Sequence, residues 1–438
     1  MENKSFLSQL AQKILRNSEV KTQDLIVILP NKRAKVFLLE ELKMNTEQTL
    51  FAPEIISIEE FVQDVAQIRS IDTVELLFEF YSVYRSLPQE EKQHEDFESF
   101  ANWAKTLLQD FNEIDRYLLN PNHVFSYLKD IEDIKHWSLD LEKRTSLIEK
   151  YLKFWGLLPK YYDTLYTFLL KKGVGYQGLI YREAVKNLDT FTKSSTAKKF
   201  LFAGFNALNA AEEKIVQHLL ALDKAEIVWD IDQVFMNDYQ HDAGLFLRRF
   251  KKEWRHYKTN PFEWMANDYA LAKKIQIIGT PKTIGQAKIT GKIVEKIIEE
   301  NPEQINKTAV VLGEESLLMP LLHSLPKSVS SMNITMGYSA KNNPAQLLLA
   351  KLFKLHTHAI KRNPNSYVFY YKDLLDILTH PLIEPYSNTS TLAKIINQNN
   401  YTFITHKRVY ELQEESNPLF ELLFQQWNAK PAIILENL

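Results

Sequence analysis

There is no cysteine among the 438 residues. Disulfides, thiolate zinc sites and cysteine-held iron–sulfur clusters are therefore excluded within the chain, and a cytoplasmic location fits. Glycine is scarce, at 11 residues, and neither GxxxxGK[ST] nor GxGxxG occurs. The loops that wrap nucleotide phosphates in backbone N–H groups thus lack their usual material. The nearest piece, Gly279-Thr280-Pro281-Lys282-Thr283, carries proline where the wrap needs glycine. No run approaches the ~18 apolar residues of a membrane span, and the N-terminal MENKSFLSQLAQKILRN has no apolar signal-peptide core. The 11 histidines are scattered, without HExxH, and no serine-centred nucleophile elbow is present. An excess of either charge is also missing: 53 basic against 55 acidic residues give a net charge of −2. A small dedicated DNA-binding domain would be basic overall, but a large neutral body can still carry a basic groove.

The chain does hold ample core material, with 45% hydrophobic and 25% charged residues, which makes it globular and long enough for two to four domains. Its organising stretch is DLIVILPNKRAKVFLLEEL, Asp24 to Leu42. Leu25 to Leu29 is too short a run for a helix and suits a buried parallel strand. Beyond Pro30 the period changes: Ala34, Phe37, Leu38 and Leu42 recur at helical spacing. Asn31-Lys32-Arg33 then sits at the carboxyl end of the strand, where open α/β sheets bind ligands, and its cations beside a helix start suit a phosphate. A solvated strand-to-helix turn is the plain alternative.

Around that stretch the pattern predicts a helix over 5–16, a second strand ending at Ser57, and a capping box of Ser57 with Glu60 opening the next helix. From residue 71 strand signals stop. Phe97, Phe100, Trp103, Leu107, Phe111 and Ile114 mark one helical face, and a second long helix covers 146–170, so 71–195 reads as an all-helical insertion with its own core. Lys193-Ser194-Ser195-Thr196 is its return loop. The α/β pattern resumes with a strand at Lys199–Phe202, a helix at Ala210–Leu222 and a strand at Glu226–Ile231, then a loosely structured connection with Arg248, Arg249, Lys251, Lys252 and Arg255. A second α/β unit is expected from strands at Ile275–Ile278, Thr308–Leu312 and Asn333–Met336, with helices over 284–299 and 314–325, before the chain turns helical from Pro344.

Other candidate chemistry is thin. Asp230 and Asp232 close a strand but face opposite sides of it, which favours structural roles over magnesium. Glu212-Glu213-Lys214 has the letters of a nuclease D/E-x-K element, yet it opens a helix, where acids suit the dipole.

The pieces LIVILPNKRA (25–34), PEIISIEEF (53–61), FLFAGFNALNAAEEKIVQHLL (200–220), TAVVLGEESLLMPLL (308–322) and GYSAKNNPAQLLLAKLFKL (337–355) resemble, in order and spacing, the AddB/RecB-type inactivated superfamily I helicases that form the N-terminal part of PD-(D/E)xK nuclease family proteins. Pro30-Asn31-Lys32-Arg33-Ala34 stands in the place of helicase motif Ia. The resemblance implies an α/β fold of two RecA-like, P-loop-NTPase-like parallel-sheet units, each with a helical insertion. The first RecA-like domain would be 1–70 with 196–272 and its insertion 71–195. The second would begin over 273–343, and 344–438 would be a second, apparently truncated insertion. It further implies a DNA-binding module for double-strand-break repair that guides single-stranded or end-containing DNA to a C-terminal nuclease beyond residue 438, beside an AddA-like helicase-nuclease subunit. Asn31, Lys32, Arg33 and Ser57 become the expected DNA contacts. The missing phosphate loop, the absence of acids around Ala203-Gly204, and Gly313 in place of an arginine imply no ATPase activity, no cofactor and no metal in this chain. A protein-docking scaffold on the same fold, and an ATP-using enzyme with an unrecognised site, are the competing expectations.

Overall fold

A computed structural model describes residues 5–16, 20–46, 49–88, 94–135, 146–195, 199–337, 339–363, 365–387, 389–413 and 418–427. The chain divides into two compact units, 1–274 and 275–438.

The first unit is built on a four-stranded parallel sheet. Its strands are β1 (Leu25–Leu29), β2 (Glu54–Ser57), β3 (Lys199–Phe205) and β4 (Ala225–Trp229), in the order β2-β1-β3-β4. Val27 lies opposite Ile55 on one side and Leu201 on the other. Strand alternation sends Leu25, Val27, Leu29, Leu201 and Ala203 to one face, where they pack on α1 (Phe6–Arg16) and α2 (Lys32–Met44). Ile28, Phe200 and Phe202 point to the other face, against α3 (Ile58–Ala66) and α9 (Ala210–Ala221). Both faces are covered, as a parallel sheet requires. The strand, the change of period and the Ser57–Glu60 capping box all form where the sequence places them.

Between β2 and β3 run the helices α4 (Thr73–Ser86), α5 (Phe97–Arg116), α6 (Pro121–Lys135), α7 (Ser146–Lys172) and α8 (Gln177–Ser194). This insertion is not wholly helical, since Arg69–Ser70 pairs in parallel with Val174–Gly175. Nor does it have a core of its own. Phe80, Phe100, Phe111 and Leu165 belong to one continuous cluster with Ile28, Phe61 and Phe202. The reason is α8, which carries Leu179, Ile180, Ala184 and Leu188 into that cluster beside the α3 residues Phe61, Val62 and Val65. Of the return loop, Thr196 lies outside the described residues. The connection after β4 contains a short helix at Gln233–Asn237 and α10 (Leu245–Glu253), followed by a 3-10 turn at Arg255–Lys258.

The second unit departs most from expectation. The helix over 284–299 forms as α11 (Thr283–Glu300), but Ile275–Ile278, Thr308–Leu312 and Asn333–Met336 join no sheet among the described residues. Ile277 is 92% and Val311 89% exposed. β-prone side chains do not make a strand by themselves, because a strand is held by its neighbours' hydrogen bonds and packing. The expected helix over 314–325 shortens to Leu318–Leu322. The remainder has a separate core on α12 (Pro344–Arg362), α13 (Tyr371–Leu378), α14 (Ser390–Gln398) and α15 (Pro418–Phe424), with an unforeseen antiparallel pair, β5 (Val368–Tyr370) and β6 (Phe403–Thr405). An α/β unit on a four-stranded parallel sheet is thus present once among the described residues, in 1–274.

Candidate nucleic-acid interface

The β1-to-α2 turn ends at the carboxyl edge of the sheet. Asn31 is extended (φ −152°, ψ 158°) and its Oδ1 accepts the Ala34 N–H at 3.0 Å, capping α2. Lys32 and Arg33 occupy the first turn of that helix, where no acid is present. Cations at the positive end of a helix dipole weaken the helix, so local folding does not account for them.

A neighbouring element restrains Lys32. Its Nζ lies 2.9 Å from Glu60 Oε1, although both side chains remain open to solvent. Glu60 is itself fixed by the capping box at the end of β2: the Ser57 N–H and Oγ–H both donate to its Oε2 at 2.9 Å, and the Glu60 N–H donates to Ser57 Oγ at 3.3 Å. The Ser57 backbone N–H, followed by Lys32, holds the Glu60 carboxyl down at about 2. Ser57 is only 2% exposed and its hydroxyl proton is given to Glu60, so it aligns Glu60, and through it Lys32, with no surface left to offer a ligand. Arg33 is exposed and forms no ion pair among the described residues. The turn therefore presents Lys32, Arg33 and the unspent Asn31 amide.

The turn also borders a hollow of about 500 Å³, walled by Phe6, Asn31, Phe37, Glu40, Glu41 and Asp230 among others. No lysine or arginine among the described residues lines it, and burial pushes the Asp230 carboxyl up. The crevice at the strand ends is thus acidic and apolar, and the cations stand beside it rather than inside. A phosphate suits the outer face of the turn and not the hollow. At the tip of β3, Gly204 adopts φ +74°, and a Cβ there would lie 3.3 Å from the Phe6 ring, so this corner favours glycine on both counts.

The remaining motifs serve the fold. Asp232 accepts the N–H groups of Val234, Asp268 and Tyr269. Glu212 completes a capping box with Asn209, and Glu213 binds Arg249 and Trp254. Lys282 adopts φ +63° without a side-chain cap ahead of α11. Among the described residues no three His, Cys, Asp or Glu side chains gather as a metal site, and no helix is long and apolar enough to cross a membrane. Glu60 was legible as a capping residue, but not as the anchor of Lys32, because that ion pair joins two elements that are distant in sequence. Compared with known proteins, the chain matches no protein-family model and no curated protein.

Proposed function

We propose that the chain is a helicase-like DNA-binding module that turns over no nucleotide and serves an AddB-like helicase-nuclease in double-strand-break repair. Its work is to hold single-stranded or end-containing DNA for a nuclease carried elsewhere, beside an AddA-like partner subunit. One observation carries this reading. Two cations stand at the carboxyl end of the central strand β1, in the first turn of a helix that their charge disfavours, and Glu60 restrains one of them. A DNA backbone phosphate would meet Lys32 and Arg33 as charge partners and the N–H groups of α2 as donors. The resemblance extends the proposal to a second RecA-like half within 273–343, whose strands need pairing partners to form.

The decisive measurement is single-strand DNA affinity against salt concentration. Replacing Lys32 and Arg33 by alanine weakens binding and flattens the salt slope by about 0.7 for each phosphate that is no longer neutralised. Absent or salt-independent binding by the folded protein overturns the reading. Mg-ATP leaves the melting temperature unchanged on this proposal, and a clear upward shift would restore the nucleotide-using alternative.

The acidic hollow favours a second reading, a protein-docking scaffold. Phe37 is 45% and Met44 78% exposed along one face of α2, with Glu40 and Glu41 between them. That surface suits a partner segment with an apolar anchor and basic flanks. A Phe37→Ala, Met44→Ala variant that keeps its DNA affinity but loses a co-purifying subunit supports this reading over the first.

A further inference from the structure

We propose that the groove between α9 and the turn Arg255–Lys258 is a phosphate-binding site, separate from the β1-to-α2 turn. The groove encloses about 860 Å³. One wall is a face of α9 bearing Lys214, Gln217 and His218, and the other carries Arg255, Thr259 and Asn260.

Its chemistry follows from which charges are already engaged. The carboxylate lining the groove, Glu213, accepts from Arg249 Nη2 at 2.6 Å and from Trp254 Nε1 at 2.9 Å. At the rim, Asp189 lies 3.2 Å from His218 Nε2. The basic run 248–258 is likewise divided. Arg248 donates to the carbonyls of Phe235, Asp238 and His241, and Lys251 stands over the Phe262 ring at 5.7 Å. Lys214, Lys252, Arg255 and Lys258 have no ion pair or hydrogen bond to any other side chain among the described residues, and Lys214 and Arg255 line the groove from opposite walls. Burial lowers the proton affinity of His256, which lines the same groove as a neutral ring.

Two free cations on opposite walls, with the lining carboxylate neutralised, form a receptor for phosphate oxygens, while the Gln217, Thr259 and Asn260 donors between them are already bonded to Glu213 and His256. Arg255 supplies a planar fork and Lys214 a point charge. The acidic hollow at the strand ends has the opposite character. The phosphate can belong to a nucleic-acid strand or to a free polyphosphate, and both present the same oxygens.

The test uses the full chain, tripolyphosphate in calorimetric titration, and a fluorescein-labelled single-stranded oligothymidine in anisotropy. Lys214 and Arg255 are exposed, so Lys214→Ala with Arg255→Ala leaves the fold intact, as a thermal melt verifies. Tripolyphosphate affinity is expected to fall about tenfold in this variant. If oligothymidine affinity falls with it, the phosphates are those of a strand, and if oligothymidine is unaffected the ligand is a free polyphosphate. Tripolyphosphate binding without oligothymidine binding by any of the proteins keeps the groove and removes the DNA reading above. No tripolyphosphate binding by the parent chain, or equal binding by the groove variant, overturns the proposal.

Discussion

Asp115 is held by three side chains at once. It is fully buried, and its carboxylate accepts from the Tyr162 and Tyr176 hydroxyls and from Arg182 Nε, each at 2.5 Å. Burial pushes its carboxyl up while the tyrosines and Arg182 pull it down, and Arg182 also ties the carbonyls of Ile114 and Leu119. Asp115→Ala removes the partner of a largely buried guanidinium and strands two tyrosine hydroxyls. It should cost about 3 kcal/mol in urea unfolding, more than exposed Asp242→Ala. Glu60 gives a prediction of the opposite kind, one that depends on pH. Its folded value near 2 lies below the ordinary 4.5. The cap therefore contributes fully above 4.5, and that contribution is lost as pH falls from 4.5 towards 2. The stability gap between the parent chain and Glu60→Gln should narrow over that range, and a gap that stays constant with pH contradicts the assignment.

At the scale of elements, one close approach fixes how α5 and α8 meet. The Gly178 N–H donates to Asn112 Oδ1 at 2.7 Å, and a Cβ at 178 would lie 2.2 Å from the Asn112 carbonyl oxygen. Gly178→Ala must push the helices apart, at a cost of about 2 kcal/mol read as a lowered melting temperature, whereas Gly156→Ala meets open space and spares it. Elements were legible wherever one local rule sufficed. Leu25–Leu29 announced a strand, Ser57 with Glu60 announced a helix start, and the face from Phe97 to Ile114 announced α5. Partnership was not legible. Ile275–Ile278 has the composition of a strand and no ladder, while the short strands β5 and β6 pair although no tight hairpin joins them in sequence. The candidate sites follow the same division. Lys32, Arg33 and the run 248–258 stand out as cations in the sequence, but only the fold reveals that Lys32 meets Glu60, that Arg248 caps carbonyls and that Arg255 stays free.

The whole molecule holds separate cores in its two units, and their titratable groups differ enough to tell them apart. In 275–438 the His356 ring is completely buried and stacks on Trp427 at 4.1 Å. Its Nδ1 lies 2.6 Å from the Tyr367 hydroxyl and its Nε2 2.9 Å from the Leu423 carbonyl. The carbonyl can only accept, so Nε2 carries the proton and Nδ1 accepts from the tyrosine. The Tyr367 oxygen in turn accepts the Trp427 N–H at 3.3 Å. A second ring proton has no place in this chain of bonds, and burial pushes the imidazole down to about 4. The unfolded chain takes up that proton near 6.5 and the folded unit only near 4, so stability is full above 6.5 and drains away as pH falls between them, by about 3 kcal/mol in total. His380 and His406 in the same unit are lowered by burial too, against His256 alone among the described residues of 1–274. The Glu60 cap does not weaken until pH 4.5, so it takes no part in the change above that pH. Calorimetry should therefore resolve two transitions at neutral pH, and lowering the pH from 6.5 to 4.5 should move the one belonging to 275–438 much further. His356→Gln lowers that transition at neutral pH and flattens its pH dependence. A single transition, or two that shift in parallel, would mean that the cores do not unfold independently.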